Sequence, residues 1–426
     1  METRYGYNLI VSMAMTIFEK YKELKSNFDY VYKGIHLNKV VTIMLWSLAK
    51  HESSLNIKSF VKLFCHLDTR ELKQFSNDDW IISFGRYNRK DHIELFENVL
   101  KRLNHSIKYA KPFNWGKKYC FNPELIYNSY KFVFSNKYKS ISFSEKLCLA
   151  NEFVFYANAI KEINRYDFRK AKKFMCLCDS QEIENLLTQF FQTRKVPTYA
   201  FMEGIMFVFK GEIPFDCIQY ENLSTDTKLS WGNYSRDELV KSGISPERIK
   251  VAGYPKFVEV SSLKPNNTFR KCMALLSRDT FRSSNMCLLE ILSKYSDIQE
   301  IWLKLHPGCD KSHYEKYSNK HHMNIVPTEK TVNECLNQDD FDYAISVNTS
   351  AYYEALMRGL PCLRLYDGKF NLMYGYDDTF GTIDEYSEVY ECIKNMDVKD
   401  YQQKIDQVLE YAIGWGVDSY KEIISN

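Results

Sequence analysis

The sequence lacks the short motifs that directly identify dinucleotide-binding folds and nucleotide hydrolases. It contains neither the GxGxxG of a dinucleotide-binding fold nor the GxxxxGK of a phosphate-binding loop, so neither hydride transfer nor ATP hydrolysis is supported. It also lacks an apolar run of about 18 residues, which a membrane-spanning helix requires. The 12 cysteines form no CxxC pair and have no histidine partners at zinc spacing. We therefore expect reduced thiols, no metal site and a cytoplasmic location.

Charge is distributed unevenly along the 426 residues, which are enough for two or three globular domains. Residues 1–173 contain 30 Lys and Arg against 17 Asp and Glu, whereas the rest of the chain contains 27 against 37. Two basic segments, Lys101–Lys118 and Arg165–Lys173, also carry aromatic residues. The first half is therefore expected to face an anionic membrane surface or a charged acceptor, unless it is only a solvated face. Nucleic acid is not an expected partner, because no recognised binding motif is present.

Strand and helix patterns alternate along the chain, which predicts α/β domains with parallel sheets. A run rich in proline, asparagine and serine, Tyr254–Phe269, interrupts this alternation and predicts an interdomain linker. We therefore divide the chain into a first α/β domain over 1–253, a linker over 254–269, a second α/β domain over 270–395 and a C-terminal helical segment over 396–426 that can cross back to the first domain.

Polar residues follow three strand patterns of the predicted second domain. They are Ser277-Arg278, His306-Pro307 and Asn348-Thr349-Ser350. Because the carboxyl ends of parallel strands meet at one edge of a sheet, where the ligands of such sheets bind, we expect these residues to lie close together. A histidine there can donate a hydrogen bond to a phosphate oxygen, and the following proline fixes the turn that aims it. A purely structural histidine is the alternative.

The stretch Phe341–Leu365 predicts a strand, a helix and a second strand. Ser350 is the predicted N-cap of the helix Tyr352–Met357. Free N–H groups at a helix start favour an anion, so Thr349 and Ser350 can cradle a phosphate. Glu354, one turn further on, can accept a hydrogen bond from a ribose or sugar hydroxyl. An ordinary capped helix would explain the same pattern.

These residues resemble the motifs of the GT-B glycosyltransferases of bacterial surface polysaccharides, especially the sialyltransferase and capsular Kdo-transferase groups. Those families bind the nucleotide phosphate of the donor through a His-Pro pair and a Ser/Thr pair, which match His306-Pro307 and Thr349-Ser350 here. The segment Tyr353–Pro361 is similar to the E-A-x-x-x-G-x-P pattern of GT-B donor sites, which implies donor contact by Glu354.

A further segment extends the resemblance, which covers roughly residues 173–395. Leu229–Phe257 is similar to the stretch before the linker in polysaccharide transferases, with a Trp-Gly pair, a helix, a Gly-Ile turn, a strand and Gly-x-Pro. One position departs from the pattern, because related chains often carry Gln-His-Gly where this chain has Met202-Glu203-Gly204.

The departure places a carboxylate at a strand end that faces the expected cleft. Glu203 can act there as a general base toward an acceptor hydroxyl. Asp179, at the end of the neighbouring strand pattern, is the competing candidate for this catalytic role. Alternatively, Glu203 only forms a salt bridge with a lysine.

The resemblance implies two Rossmann-like domains that face each other across a cleft, the first for the acceptor and the second for the nucleotide donor. It implies a metal-independent, inverting glycosyltransferase of capsule or lipopolysaccharide synthesis, with a nucleotide-activated sugar as donor, a glycan or lipid-linked acceptor, and no cofactor. The expected location is the cytoplasm, including the inner face of the membrane. The alternatives are a transferase of CDP-linked polyol phosphates, a sugar-nucleotide epimerase and a non-catalytic glycan- or nucleotide-binding protein.

Overall fold

Two parallel β-sheets, each accompanied by helices, face each other across a cleft, which confirms the predicted fold class of two Rossmann-like domains. The computed structural model describes residues 17–84, 90–104, 108–110, 119–138, 140–206, 215–256, 261–263, 269–295, 298, 300–338 and 340–425. Most of the basic segment 101–118 and parts of the predicted linker, 257–260 and 264–268, lie outside the described residues.

The first sheet is preceded by a short antiparallel hairpin of β1 (Val31–Tyr32) and β2 (Ile35–His36). Its five strands are parallel and lie in chain order: β3 (Trp80–Ser83), β4 (Lys173–Cys176), β5 (Thr198–Phe201), β6 (Thr227–Ser230) and β7 (Ile249–Val251). The central strands are buried along most of their length, as expected for a parallel sheet covered by helices.

The helices of the first domain surround this sheet. Their bounds are 17–27, Leu37–Val40, Thr42–Ala49, Ile57–Val61, Lys90–Arg102, Pro123–Ser135, Phe143–Ile163, Glu182–Gln192, Ile218–Glu221 and Asn233–Lys241, with 3₁₀ turns at Lys62–Phe64, Arg70–Phe75, Phe215–Cys217 and Pro246–Arg248. The longest of them begins with a capping box in which Ser142 and Glu145 satisfy each other's backbone N–H groups.

The second sheet has six parallel strands in the order β10-β9-β8-β11-β12-β13. The strands are β8 (Lys271–Leu275), β9 (Glu300–Lys304), β10 (Asn324–Ile325), β11 (Tyr343–Ser346), β12 (Cys362–Leu365) and β13 (Thr379–Phe380). The chain order reverses between β8 and β11, and a sheet of this order binds its ligand in the crevice outside the strand ends at that point. The topology therefore predicts that the residues that follow β8, β9 and β11 form the ligand site.

The helices that accompany the second sheet connect its strands or follow them. Their bounds are Arg282–Lys294, Lys311–His321, Val332–Gln338, Ala351–Met357, Ile383–Lys394, Val398–Ile413 and Tyr420–Ser425, with a 3₁₀ turn at Asp279–Phe281. In the part of the chain that the structure describes, every helix is too short or too polar to cross a lipid bilayer.

The last two helices pack against the first domain, although they follow the second sheet in the chain. The Tyr411 hydroxyl donates to Asp237 Oδ2 at 2.9 Å, and Arg102 forms a 3.2 Å ion pair with Asp418. The Tyr420 hydroxyl donates to the carbonyl of Gly253 at 2.8 Å. The C-terminal segment thus consists of two helices, separated at Gly414 in the left-handed region, where the sequence indicated one.

Candidate functional site

A cavity of about 440 Å³ lies between the carboxyl ends of the two sheets. The second domain lines it with the predicted residues Ser277, Arg278, His306, Pro307, Thr349, Ser350 and Glu354, and with Lys304. The first domain lines it with Glu203, Lys228, Trp231, Lys90, His92 and Glu94. Residues from distant parts of the chain therefore converge on one cleft.

His306 follows β9 directly, and the local chain fixes its ring. The Gly308 N–H donates a 3.0 Å hydrogen bond to His306 Nδ1, so this nitrogen carries no proton. The proton of the neutral ring then lies on Nε2, which makes Nε2 a donor. A phosphate oxygen is the kind of acceptor that such a donor suits.

Ser277 follows β8, and the side-chain amide of Asn285 forms hydrogen bonds with both its backbone N–H and its backbone carbonyl. Asn285 Oδ1 accepts from the Ser277 N–H at 3.1 Å, and Asn285 Nδ2 donates to the Ser277 carbonyl at 2.7 Å. The Ser277 hydroxyl donates to the carbonyl of Asn348 at 3.3 Å, which ties the end of β8 to the end of β11. The crevice at the point of strand reversal is thus rigidly built.

Thr349 and Ser350 occupy the start of the helix Ala351–Met357, which is where the sequence placed them. The Ala351 N–H donates to Thr349 Oγ1 at 3.4 Å, whereas Ser350 has helical backbone angles and makes no side-chain capping hydrogen bond. The expected N-cap interaction of Ser350 is therefore not formed. The helix has only 7 residues, and the cations Arg278 and Lys304 line the same cavity beside its start.

Asn348 does not line the cavity, in contrast to the prediction that it binds the donor directly. Its side chain is 2% exposed, and its Oδ1 accepts from the Met373 N–H at 3.1 Å. Its φ of +38° lies in the left-handed region, which asparagine tolerates better than most residues. Asn348 thus shapes the turn that presents Thr349.

Arg278 reaches across the cleft to the first domain. Its Nη1 lies 2.5 Å from Asp216 Oδ1, and both side chains are partly exposed. A second ion pair, between Lys90 Nζ and Glu334 Oε1 at 2.6 Å, joins the same two domains. The predicted phosphate-binding arginine is therefore engaged by a carboxylate of the facing domain.

Glu354 lies at the cleft wall but is held by two residues at the start of the predicted linker. Its Oε1 accepts from the Tyr254 hydroxyl at 3.1 Å and from Lys256 Nζ at 3.0 Å. Burial, together with the charge of Glu354, raises the pKa of Tyr254, so this phenol remains a donor. Glu354 therefore connects the linker to the donor side of the cleft.

Glu203 follows β5 and faces the cavity from the first domain. Its Oε1 accepts a hydrogen bond from Gln219 Nε2, which orients the carboxylate. Its Oε2 is buried and has no hydrogen-bond partner among the described residues. A cleft carboxylate with one oriented oxygen and one uncompensated oxygen can accept a proton from a bound hydroxyl.

Asp179 is fully buried and does not line the cavity. Its Oδ2 accepts from the backbone N–H groups of Ser224 and Thr225 and from the Thr225 hydroxyl, at 2.7, 2.6 and 2.8 Å. Although burial alone would raise the pKa of Asp179, Lys228 and these donors outweigh it and hold the pKa below its ordinary value. This placement gives the second catalytic candidate no access to a substrate hydroxyl.

Lys228 connects Asp179 to the cleft. Its Nζ lies 3.4 Å from Asp179 Oδ1, and its side chain lines the cavity. Burial alone would lower the pKa of Lys228, but Asp179 and neighbouring groups that include Glu203 raise it above its ordinary value. Lys228 therefore keeps its positive charge at neutral pH and brings it close to Glu203.

Sequence reasoning missed three lysines of the cleft: Lys228, Lys256 and Lys304. Lys228 and Lys304 are 8% and 5% exposed and lie inside strands, so a lysine within a strand-like apolar run was the available signal. Buried lysines are rare unless a partner or a ligand compensates them. His92 and Glu94, near the start of the helix Lys90–Arg102, gave no such signal.

Among the described residues, no three or more His, Cys, Asp and Glu side chains gather in a way that could hold a metal ion. All 12 cysteines are free thiols.

In sequence, the chain matches no family profile and no curated protein. In structure, it is similar to the lipopolysaccharide outer core galactosyltransferase WaaB, with 11% identity and a TM-score of 0.47 over 82% of this chain and 98% of that chain. A UDP-GlcNAc 2-epimerase from Neisseria meningitidis shows 12% identity and a TM-score of 0.46 over 81% of this chain and 98% of that chain. HepE from Anabaena, in complex with UDP-glucose, shows 8% identity and a TM-score of 0.47 over 81% of this chain and 98% of that chain. Such distant likenesses assign no role to individual residues.

Proposed function

We propose that this protein is a glycosyltransferase that moves a sugar from a nucleotide-activated donor to a glycan or lipid-linked acceptor. One observation carries the proposal. The strand-end residues Arg278, His306 and Thr349 of the second domain face the carboxylate of Glu203 across a single cavity of about 440 Å³. The cleft thus combines groups that suit a phosphate on one wall with a group that suits proton removal on the other.

The donor side binds and stabilises the nucleotide phosphate. His306 Nε2 and the hydroxyls of Thr349 and Ser350 donate hydrogen bonds, while Arg278 and Lys304 supply positive charge. The charge of the departing nucleotide grows as the glycosidic bond breaks, so donors fixed in advance stabilise the transition state more than the bound donor.

The acceptor side activates the hydroxyl that attacks. The Glu203 carboxylate takes the proton of that hydroxyl, and Gln219 keeps the carboxylate oriented through Oε1. Lys228, held charged by Asp179, brings a positive charge close to Glu203. A single displacement with one base inverts the configuration at the sugar carbon.

Metal-independent catalysis is part of the proposal. The cations that line the cleft, Arg278, Lys228, Lys256 and Lys304, can compensate the phosphate charge in the role that a divalent cation has in other transferases. No cofactor is required for this reaction, because the nucleotide sugar is itself the substrate.

The proposed setting is the synthesis of a bacterial surface polysaccharide, such as capsule or lipopolysaccharide, on the cytoplasmic side of the membrane. The resemblance of His306-Pro307 and Thr349-Ser350 to the donor-site motifs of sialyltransferases and Kdo-transferases supports this assignment.

The test is incubation with a panel of nucleotide sugars, with release of nucleotide measured in the presence and absence of glycan acceptors. Transfer predicts release that depends on an acceptor and a product enlarged by one sugar in mass spectrometry. Interconversion of the sugar without an acceptor would instead identify an epimerase, and release from CDP-linked polyols alone would identify a polyol-phosphate transferase. Tight binding of a nucleotide sugar with no turnover would contradict the enzymatic assignment.

A further inference from the structure

Exposed apolar side chains are concentrated on one part of the first domain. Among the described residues, ten large hydrophobic side chains are exposed, and eight of them fall within 57–64 and 119–143. These eight define the apolar face: Ile57, Phe60, Val61, Phe64, Tyr119, Phe121, Tyr127 and Phe143. Single exposed apolar residues need no explanation, whereas a contiguous group of aromatics indicates an interaction surface.

The helix Ile57–Val61 and the 3₁₀ turn that follows it form the centre of the apolar face. Neither element contains a buried residue, and Ile57 is 81% exposed. Ile57, Phe60, Val61 and Phe64 have helical spacing and therefore share one side of this segment. The segment is fixed to the domain by its other side, where Lys62 forms an ion pair with Glu152 and Ser59 contacts Cys148.

The remaining members lie on or next to elements that contact this segment or the helix Phe143–Ile163: Tyr119 and Phe121 flank Cys120, Tyr127 lies on the helix Pro123–Ser135, and Phe143 begins the helix Phe143–Ile163 itself. The ring of Phe64 stacks on that of Phe121 with centroids 5.8 Å apart, and the Cys120 N–H donates to the carbonyl of Phe64. At the other end, Phe143 packs against Phe134 with centroids 5.2 Å apart. Cys120 Sγ lies 3.5 Å from Asn158 Oδ1, which is fifteen residues after Phe143 on the same helix, so the apolar face is about 20 Å long.

Positive charge accompanies the apolar face. Lys58, Lys131 and Lys137 are exposed beside its aromatic members, and Lys131 lies over the ring of Tyr127 with its Nζ 5.7 Å from the centroid. Glu124 is an exposed acidic residue in the same region. The excess of lysine agrees with the basic composition of residues 1–173, which contain 30 Lys and Arg against 17 Asp and Glu. An anionic partner is therefore favoured over a second copy, since self-association would oppose like charges.

We propose that the apolar face docks on an anionic lipid bilayer, with Ile57, Phe60 and Phe64 entering the headgroup region. A short amphipathic segment with aromatic tips and lysines at its margin has the composition of an interfacial anchor. The Lys62–Glu152 ion pair fixes this segment to the helix Phe143–Ile163, so the apolar face is held in place before it meets the bilayer. The proposal depends on no step of the proposed sugar transfer.

Flotation of the full-length protein with phosphatidylcholine vesicles, with and without phosphatidylglycerol, tests the proposal. The protein should float with the anionic vesicles, and the double variant Ile57→Asp/Phe60→Asp should lower the partition coefficient by about tenfold or more, because each buried apolar side chain contributes at least that factor. Tyr374→Asp is the matched control, since Tyr374 is 40% exposed but lies in the second domain, outside the apolar face. It should float as the unmodified protein does.

Insertion of the apolar face into the bilayer is measured separately with the variant Phe64→Trp. The tryptophan fluorescence of this variant should be quenched by brominated phospholipid and should shift to the blue. Unchanged thermal unfolding is expected for Ile57→Asp/Phe60→Asp and for Phe64→Trp, because neither the helix Ile57–Val61 nor the turn Lys62–Phe64 contains a buried residue. Absence of flotation with any vesicle, or flotation that Ile57→Asp/Phe60→Asp leaves intact, would overturn the proposal. So would a change in oligomeric state in the double variant with vesicle binding unaltered, since that result would identify a protein interface.

Discussion

Glu203 is the side chain on which the proposed chemistry depends most, so its conversion to Gln is the first prediction at the scale of single residues. Glu203→Gln keeps the size of the side chain but removes the base. We expect kcat to fall by about 10²- to 10⁴-fold, the range typical of a lost general base, while nucleotide affinity stays unchanged. Steady-state kinetics and calorimetry on the same preparation measure the two effects.

Asp179→Asn is the informative comparison, because the two carboxylates compete for the catalytic role. The variant leaves Lys228 buried without its counter-charge, and removing one partner of a buried pair costs about 3–5 kcal/mol. Its main effect should therefore be a lower melting temperature. If Asp179→Asn folds normally and is inactive while Glu203→Gln retains activity, the assignment of the base is wrong.

His306→Ala should weaken nucleotide binding without unfolding the protein. A hydrogen bond to a charged phosphate is worth about 1.5–3 kcal/mol, which corresponds to about 10- to 100-fold in affinity. His313→Ala is the control, since this histidine lies on the surface helix Lys311–His321 and pairs with Asp310. Unchanged affinity and turnover in His306→Ala would remove this histidine from the donor site.

The sequence allowed the strand-end residues to be predicted, because their position depends only on local pattern and on the geometry of parallel sheets. His306 and Thr349 were found in this way and line the same cavity. The partners of these residues could not be found, because they depend on contacts between distant segments. Asp179 was predicted to face the cleft, but Lys228 and the backbone N–H groups near Thr225 hold it in the interior.

At the scale of secondary-structure elements, the ion pair of Arg278 with Asp216 predicts that removing a charged side chain will increase the affinity for nucleotide. In the proposed complex, the phosphate of the donor replaces this carboxylate as the partner of Arg278. Asp216→Asn should therefore bind nucleotide more tightly than the unmodified protein, by up to about fivefold, since a partly exposed pair is worth up to about 1 kcal/mol. Calorimetric titration with the nucleotide product measures the change.

The second interdomain pair supplies the control for this prediction. Glu334→Gln weakens the contact with Lys90 between the same two domains but leaves Arg278 paired with Asp216. It should not tighten nucleotide binding. Equal tightening in both variants would show that the effect comes from looser domains and not from release of Arg278.

Element bounds follow from the sequence where apolar runs are long and bordered by turn residues. The predicted strand over 343–347 corresponds to β11, Tyr343–Ser346, because both neighbours of this strand bury it. No strand was predicted for β6 or β13. β6 contains the buried Lys228, and β13 has only two residues at the edge of its sheet, so its pairing with Arg364 and Leu365 defines it more than its composition does.

The proposed metal independence belongs to the scale of the whole molecule, since cations from both domains line the cleft. Addition of EDTA should leave the initial rate unchanged, because Arg278, Lys228 and Lys304 provide the positive charge that the leaving nucleotide requires. Nucleotide release should be followed by chromatography, because coupling enzymes that need magnesium would respond to EDTA themselves. A strict requirement for added magnesium or manganese would contradict the expectation.

The two domains are also joined by the C-terminal segment, which comes close to the first domain at Gly253. Gly253 has a φ of +100°, and a Cβ atom there would lie 1.9 Å from the carbonyl oxygen of Val417. Gly253→Ala should therefore displace the segment that Tyr420 anchors to the Gly253 carbonyl. We expect a loss of about 4 kcal/mol or more in the free energy of unfolding, because a steric clash and a strained backbone angle coincide at this position.

Gly243→Ala separates the two causes of this loss. Gly243 has a similar φ of +95°, but no atom lies within 4 Å of the position that its Cβ would take. It should therefore show only the backbone cost of about 1–3 kcal/mol, whereas Gly253→Ala should show that cost and the steric one together. Chemical denaturation of both variants gives the difference directly. If the two variants lose equal stability, the contact with Val417 contributes nothing, and the C-terminal segment is not held to the first domain at Gly253.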